Sequence, residues 1–202
     1  MKPLFFPAFL LACFLSMSSS CKKQNPILTL YTELGNVQVE LYADKAPISS
    51  RNFLRYVKED RLKGIMFYRT VTTQPDNQPD KDTKIDVVQG GFGIHYQDPT
   101  TNPYLLPPIE HETTNKTGLT HEDGTISMAR DAPGTAQAEF FICIGAQPEL
   151  DFGGKRNSDG TGFAAFGKVV SGMDIVRQIH RYPNEAQIIQ TPVEIRSVKV
   201  NE

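Results

Sequence analysis

Several groupings in this chain carry side chains of the types that do chemistry, and most fail on spacing. His111 and His121, with Glu110, Glu112, Glu122 and Asp123 beside them, have the donors of a metal site. Zinc ligands usually come in pairs about two to five residues apart, whereas ten residues separate these histidines. Asp76, Asp80 and Asp82 begin like a calcium loop but lack its glycine and closing glutamate. Gly153-Gly154-Lys155 lacks the earlier glycine and the following Ser/Thr of a phosphate loop. Cys143 lies in an apolar run, where a buried and inert thiol is expected. A Ser/His/Asp relay needs geometry that spacing does not supply. The reading therefore assigns neither a metal nor a cofactor. Arg69 remains: a guanidinium protonated at any relevant pH that holds its donors in a rigid plane. Taken alone, it reads as a surface arginine on a strand.

Its sequence context changes that reading. Phe67-Tyr68-Arg69 is followed by Val88-Gln89-Gly90-Gly91, then by Gly124-Thr125-Ile126-Ser127-Met128-Ala129-Arg130, Glu139-Phe140-Phe141-Ile142 and Phe163-Ala164-Ala165-Phe166-Gly167-Lys168-Val169. Each piece is weak, but the ordered set resembles the cyclophilin family of peptidyl-prolyl cis/trans isomerases from about Ile27 to Val200. The resemblance implies a closed eight-stranded antiparallel β-barrel with a helix capping each end. It also implies an outer groove for an extended X–Pro peptide, in unfolded or folding polypeptides. Carried over by position, Arg69 is the catalytic arginine, Gln89 bonds the substrate backbone and Phe141 floors the proline pocket. Val87, Ala129, Leu150 and Phe163 fall on groove positions.

The chain departs from the family around that groove. Asp86 and Val87 replace an aromatic and a methionine, Glu139 replaces a glutamine, and Glu149 stands where a tryptophan is common. Phe163 replaces a groove histidine, and the Thr72–Lys84 connection is longer than usual. Two rival readings follow from this altered groove. One is a non-catalytic Pro-peptide-binding module or chaperone on the same barrel; the other is a structural envelope protein.

The chemistry suits the residues. Rotation about a peptide bond faces a barrier of about 18–20 kcal/mol because amide resonance must break. In the twisted transition state the proline nitrogen regains a lone pair. A fixed guanidinium can donate to that nitrogen, which the planar ground state accepts poorly, so the interaction favours the transition state. A thousandfold acceleration needs only about 4 kcal/mol.

Periodicity supplies elements to position these groups. Ile27–Thr32 and Val37–Leu41 alternate apolar and polar residues around Glu33-Leu34-Gly35-Asn36, which reads as a hairpin. Further strands are expected at Met66–Thr70, Ile85–Gln89, Thr125–Ala129, Phe140–Ile144, Ala164–Val170 and Val193–Val200. Pro47 opens a helix with Phe53, Leu54 and Val57 on one face, and Gly64 follows its end. Met173–His180 is a second helix, with Ile175, Val176 and Ile179 apolar. Strands without regular helix alternation argue against a parallel sheet, and closure removes edges. The fold class is mainly β. Thr72–Lys84 and Gly153–Gly162 read as surface loops. A formal net charge of −2 offers no basic field for nucleic acid, and a monomer is the default expectation.

The N-terminus differs in kind. Lys2 precedes an apolar stretch from Leu4 to Met17, interrupted at Pro7 and Ser16, and then Ser18-Ser19-Ser20-Cys21. This has the charged, apolar and small-residue order of an export signal, and the stretch is short for a membrane span. The pattern resembles a bacterial lipoprotein signal, which implies acylation of Cys21. Leu10-Leu11-Ala12-Cys13 matches the usual motif more closely but leaves a very short apolar region. An ordinary secretion signal is the third alternative. The expected organisation is a signal over 1–20, a lipid tether over 21–26 and an isomerase domain over 27–202, in an exported, membrane-anchored lipoprotein on the periplasmic face of a bacterial cell envelope. With Cys21 acylated, Cys143 has no thiol to pair with inside the mature chain.

Overall fold

Alternation along each strand decides what faces inward. In β1 (Ile27–Thr32) and β2 (Gly35–Leu41), Leu28, Leu30, Val37, Val39 and Leu41 are fully buried. The structure is a computed structural model and describes residues 24–93 and 100–201. The signal segment, Cys13, Cys21 and Glu202 lie outside the described residues. After β2 come α1 (Pro47–Lys58), β3 (Met66–Val71), β4 (Val87–Gly91), α2 (Thr114–Thr117), β5 (Thr125–Met128) and β6 (Phe140–Cys143). Then follow β7 (Ala164–Ser171), α3 (Met173–His180), β8 (Asn184–Glu185) and β9 (Ile188–Val200).

The sheet runs β1-β2-β7-β5-β6-β4-β3-β9, and β9 pairs back onto β1, so eight antiparallel strands close into a barrel. Closure leaves the eight strands no open edge; β8 is only a two-residue partner of β9. Phe67, Val88, Ile126, Met128, Phe140 and Ile142 fill the interior. At one end α1 inserts Phe53, whose ring meets Phe140 edge-on at 5.5 Å and Phe166 at 5.6 Å. Leu54 and Val57 pack less deeply than Phe53 and Tyr56. The start of α1 has no side-chain cap of its own; instead the Ile48 and Ser49 N–H groups donate to the Glu112 carboxylate at 2.9 and 2.6 Å. A negative charge there satisfies orphan donors and suits the helix dipole. Val176 and Ile179 of α3 are fully buried.

The expected architecture is present, with shifted boundaries. The strand expected at Ile85–Gln89 is Val87–Gly91. Ile85 stays outside because its backbone bonds a side chain: its N–H donates to Gln78 Oε1 at 3.1 Å, and its carbonyl accepts from Gln78 Nε2 at 2.9 Å. The last strand begins at Ile188, not Val193. Its register against β3 jumps from Val193 opposite Phe67 to Ile188 opposite Arg69, and Pro192 falls in that bulged stretch where no ladder donor is required. Ala129 and Ile144 lie just beyond β5 and β6. Besides the two capping helices there is α2, a single turn, and a 3-10 turn at Pro148–Leu150.

Candidate active site

The side chains that do not enter the barrel make its outer groove. Along β6, Phe140 and Ile142 point inward, so Phe141 and Cys143 point out; along β4, Val88 points in, and Val87 and Gln89 point out. Val71, Ile85, Val87, Phe141, Cys143 and Leu150 form a second apolar cluster, with Ala129 and Phe163 packed against it. A cavity of about 630 Å³ opens over this cluster, and Arg69, Val87, Gln89, Ala129, Phe141, Leu150 and Phe163 all line it. Every groove and catalytic position expected from the sequence therefore meets in one place.

A bulge aims Arg69 there. The pairing of β3 slips between Phe67 and Arg69 against both neighbours, so Phe67 enters the core while Tyr68 and Arg69 serve the groove. The glycines after Gln89 have steric causes. A Cβ on Gly90 would lie 2.7 Å from the Phe140 ring, and one on Gly91 would lie 2.3 Å from the Glu139 carboxylate.

Arg69 is held by amides rather than by a carboxylate. Its Nη1 donates to Gln89 Oε1 at 2.6 Å; its Nε and Nη2 both donate to Gln187 Oε1, at 3.1 and 2.5 Å. Burial pulls its proton affinity below the usual arginine value, with Tyr68 opposing. Gln89 is itself fixed: its Nε2 donates to the Tyr68 hydroxyl at 2.5 Å, and that hydroxyl donates to Glu139 Oε2 at 2.8 Å. With its oxygen on Arg69 and its amide nitrogen on Tyr68, Gln89 has one amide orientation that satisfies both.

The replacement of glutamine by Glu139 now has a physical account. Tyr68 O–H, the Phe92 and Gly93 N–H groups at 2.7 and 3.3 Å, and Gln89 Nε2 at 3.5 Å all converge on it, and an ionised carboxylate is acceptor-only. Burial pushes this carboxyl above the ordinary glutamate value of 4.5, against the lowering effect of those hydrogen bonds. Between 4.5 and the raised native value, the folded state holds a proton that the unfolded chain has released. In that window this group makes stability fall as pH rises, and stability is recovered on acidification. Thermal melts of the wild type and Glu139→Gln, run in parallel from about pH 7.5 to about pH 5, should show the Tm difference moving in favour of the wild type as pH falls. A pH-independent difference would contradict this assignment.

The apolar side of the groove is also braced. The Phe141 ring meets Phe163 edge-on at 5.2 Å, and the Arg130 guanidinium lies 5.1 Å over the Phe163 ring. Arg130 is anchored by Asp159 through both terminal nitrogens, at 2.9 and 3.0 Å, and by the Gly162 carbonyl. That pairing holds the Asp159 carboxyl well below the usual range. Behind Phe141 stacks His121, 5.9 Å away and nearly parallel. Its Nδ1 meets Asp151 Oδ1 at 2.7 Å and its Nε2 meets Ser127 Oγ at 2.9 Å. This is the Ser/His/Asp order of a hydrolase, yet Ser127 has no exposed surface for a substrate to reach. The trio supports the pocket floor instead.

The other groupings have structural partners. Glu112 caps α1; Asp123 pairs with Arg177 at 2.5 Å. His111 lies 3.4 Å from the Thr161 carbonyl, and Asp76 pairs with Lys84. Burial pushes the Cys143 thiol far up, which makes it a poor nucleophile. Sequence reasoning gave no role to Tyr68, Arg130 or Gln187. Tyr68 and Arg130 sit inside quoted segments, but nothing local marks Gln187, which reaches Arg69 from 118 residues away. The Thr72–Lys84 loop is ordered around Gln78, and Arg156 ties it to the Gly-rich loop by donating to Gln78 Oε1 at 2.8 Å and the Thr83 carbonyl at 2.7 Å.

Comparison with known proteins agrees with this geometry. Residues 27–200 match the family model described as cyclophilin type peptidyl-prolyl cis-trans isomerase/CLD. A peptidyl-prolyl cis-trans isomerase of Acinetobacter baylyi is 33% identical over 182 residues, covering 87% of this chain and 86% of that protein. Peptidyl-prolyl cis-trans isomerase B of Escherichia coli is 31% identical over 182 residues, covering 87% of this chain and all of that protein. A crystal structure of a cyclophilin-type isomerase from Cryptosporidium parvum shares the fold with a TM-score of 0.65 at 18% identity, over 88% of this chain and 98% of that one. A second Cryptosporidium parvum structure, determined in the presence of the dipeptide Ala-Pro, gives the same TM-score over 87% of this chain and 99% of that one.

Proposed function

The chain belongs to the cyclophilin-type peptidyl-prolyl cis-trans isomerase family, and from that premise we propose that Arg69 is its catalytic donor and that it works outside the cytoplasm on a lipid tether. The enzyme catalyses rotation about X–Pro bonds. The observation that carries the role of Arg69 is its setting: a guanidinium held by the amide oxygens of Gln89 and Gln187, lining the same cavity as Phe141.

In this reading the proline ring settles on Phe141 among Val87, Ala129, Leu150 and Phe163. Its removal from water supplies binding. The peptide runs along the groove, with Gln89 beside its backbone. Among the described residues, three of the five Arg69 N–H donors are engaged by the protein, leaving one on each terminal nitrogen. As the amide twists, the proline nitrogen becomes an acceptor, and a donor already in place stabilises it without reorganising. A carboxylate partner would have neutralised that charge. Arg130 and His121 brace the aromatic wall and floor, so the pocket is formed before the substrate arrives.

The proposed setting rests on the N-terminal sequence. Lys2, the apolar stretch, the serines and Cys21 have the order of a lipoprotein signal, and 22–26 would be a polar tether leading into β1 at Ile27. The substrates in this setting are unfolded or folding polypeptides of the bacterial envelope, and the enzyme acts as a monomer. Cys21→Ser is expected to abolish fatty-acid labelling and release the chain from membranes, while Cys13→Ser leaves both intact. Labelling that survives Cys21→Ser and disappears in Cys13→Ser would move the anchor; labelling unaffected by either would remove it.

A further inference from the structure

Arg69 needs one orientation, and most of what fixes it lies outside the family's motif segments. Among the described residues, Gln187 receives two of the three hydrogen bonds that the guanidinium makes to protein, from Nε at 3.1 Å and Nη2 at 2.5 Å. These two donors form one edge of the planar guanidinium, so one oxygen holds that edge by two bonds, and together with Gln89 Oε1 on Nη1 the two acceptors define the plane. Gln89 takes only Nη1.

Gln187 is itself held at two points, one on its backbone and one on its side chain. Its backbone carbonyl accepts from the Thr70 N–H at 2.9 Å, next to Arg69 in β3. Its Nε2 donates to the Asn77 carbonyl at 3.0 Å, which fixes which end of the amide faces Arg69. Asn77 returns the connection to β3: its Nδ2 donates to the Thr70 carbonyl at 3.0 Å, and its Oδ1 accepts from the Thr72 N–H at 2.9 Å. The circuit Arg69–Gln187–Asn77–Thr70 is closed through side chains and backbone. It recruits the long loop after β3 and the hairpin between β8 and β9 to the orientation of one guanidinium.

The backbone gives an independent observation. Ala186 and Gln187 form the two-residue turn of that hairpin, with φ of 46° and 73°. Asp60 is the only other non-glycine residue with positive φ among the described residues. Two adjacent L-residues in the left-handed region are disfavoured unless the surroundings enforce them, and such strain collects at functional sites. A glycine at 187 would relax this turn but would have no side chain to reach Arg69.

We infer that Gln187 is a positioning residue for the isomerisation, holding the Arg69 guanidinium in the plane that meets the proline nitrogen. The inference rests on the assignment of Arg69 as catalytic donor. Without the Gln187 acceptor, Arg69 keeps one hydrogen bond and swings about Nη1, so the transition state loses more than the bound substrate does.

The test uses the full chain in detergent and a fluorogenic or NMR-active Xaa-Pro peptide. Gln187→Ala and the near-isosteric Gln187→Leu both retain the backbone bond from Thr70. Each is expected to lower kcat about tenfold, or about 1.4 kcal/mol in the barrier, with peptide Kd changed less than twofold. In an Arg69→Ala background neither substitution should lower the residual rate further. Unchanged kcat in both variants overturns the inference. So does an equal loss with and without Arg69, which would mean that Gln187 acts through the fold. An Arg69→Ala variant as active as the wild type would instead overturn the underlying assignment of Arg69.

Discussion

Arg69→Ala is expected to lower kcat/KM for an Xaa-Pro peptide by a factor of about 100 to 1000, with little change in peptide affinity or Tm. Removing one preorganised donor from a site where charge develops typically costs about 2.7–4 kcal/mol of barrier, and each 1.36 kcal/mol is about tenfold. Stability should change little because Arg69 is neither fully buried nor matched to a buried carboxylate. Its loss leaves the Gln89 amide oxygen at a groove that water can enter, and Gln187 is only half-buried. Arg69→Lys retains the charge but not the plane, and an ammonium cannot serve both amides and the substrate in the same geometry. It should recover only a small part of the loss. Exchange spectroscopy on the peptide, with affinity from titration, separates kcat from binding. A stable Arg69→Ala variant with wild-type catalysis would contradict the account.

Phe141→Ala should have the second largest effect, and of a different kind. The ring floors the pocket, is 5% exposed, and packs with Val71, Val87, Cys143 and Leu150 while His121 and Phe163 contact its face and edge. Truncation removes the apolar surface proposed to receive proline and leaves a hole behind it. Burying a ring of this size contributes roughly 1.5–3 kcal/mol, so peptide Kd should rise about tenfold to a hundredfold, and kcat/KM should fall at least as far. Stability should fall by about 3 kcal/mol, as for buried Phe→Ala changes. The two variants are therefore expected to differ in kind: Arg69→Ala loses rate at preserved affinity, and Phe141→Ala loses affinity and Tm together. Titration and thermal melts on the same preparations check this. Tight binding by Phe141→Ala would move the proline pocket elsewhere.

The parts of the site set by strand periodicity were legible in the sequence. Phe140-Phe141 must split between core and surface wherever β6 lies, and Val88-Gln89 must split the same way in β4, so adjacent residues told which faced the groove. Features built by distant residues were not. The bulge that separates Phe67 from Arg69 depends on the pairing of β3 with two other strands. Glu112 shows no sign in its own neighbourhood that it will cap α1. Ile85 looks like strand by composition, and only the buried Gln78 side chain explains why its backbone bonds are spent elsewhere. Gln187 is the strongest case: its turn contains no glycine, its neighbours match none of the motif segments, and its role exists only because two loops close on β3. Pro192 concealed the front half of β9 because proline argues against a strand unless a bulge removes the need for its N–H.

The departures from the family bear on the rival readings. Glu139 does not empty the network around Gln89; it accepts from Tyr68 and from the backbone beyond Gly91. Phe163 closes the groove with an aromatic edge braced by Arg130. Both replacements leave Arg69 and Phe141 together at the cavity, where the proposed donor and the proposed proline floor would both be needed for catalysis.

The most direct measurement uses wild-type protein from Lys22 onward, a segment that contains the whole closed barrel. An Xaa-Pro peptide, present in large excess, is followed by exchange between its cis and trans signals. Uncatalysed exchange takes roughly tens to hundreds of seconds. Exchange is expected to become faster in proportion to enzyme concentration, and this acceleration to fall by a factor of about 100 to 1000 with Arg69→Ala. Peptide binding at the groove with no acceleration by the wild type would contradict it.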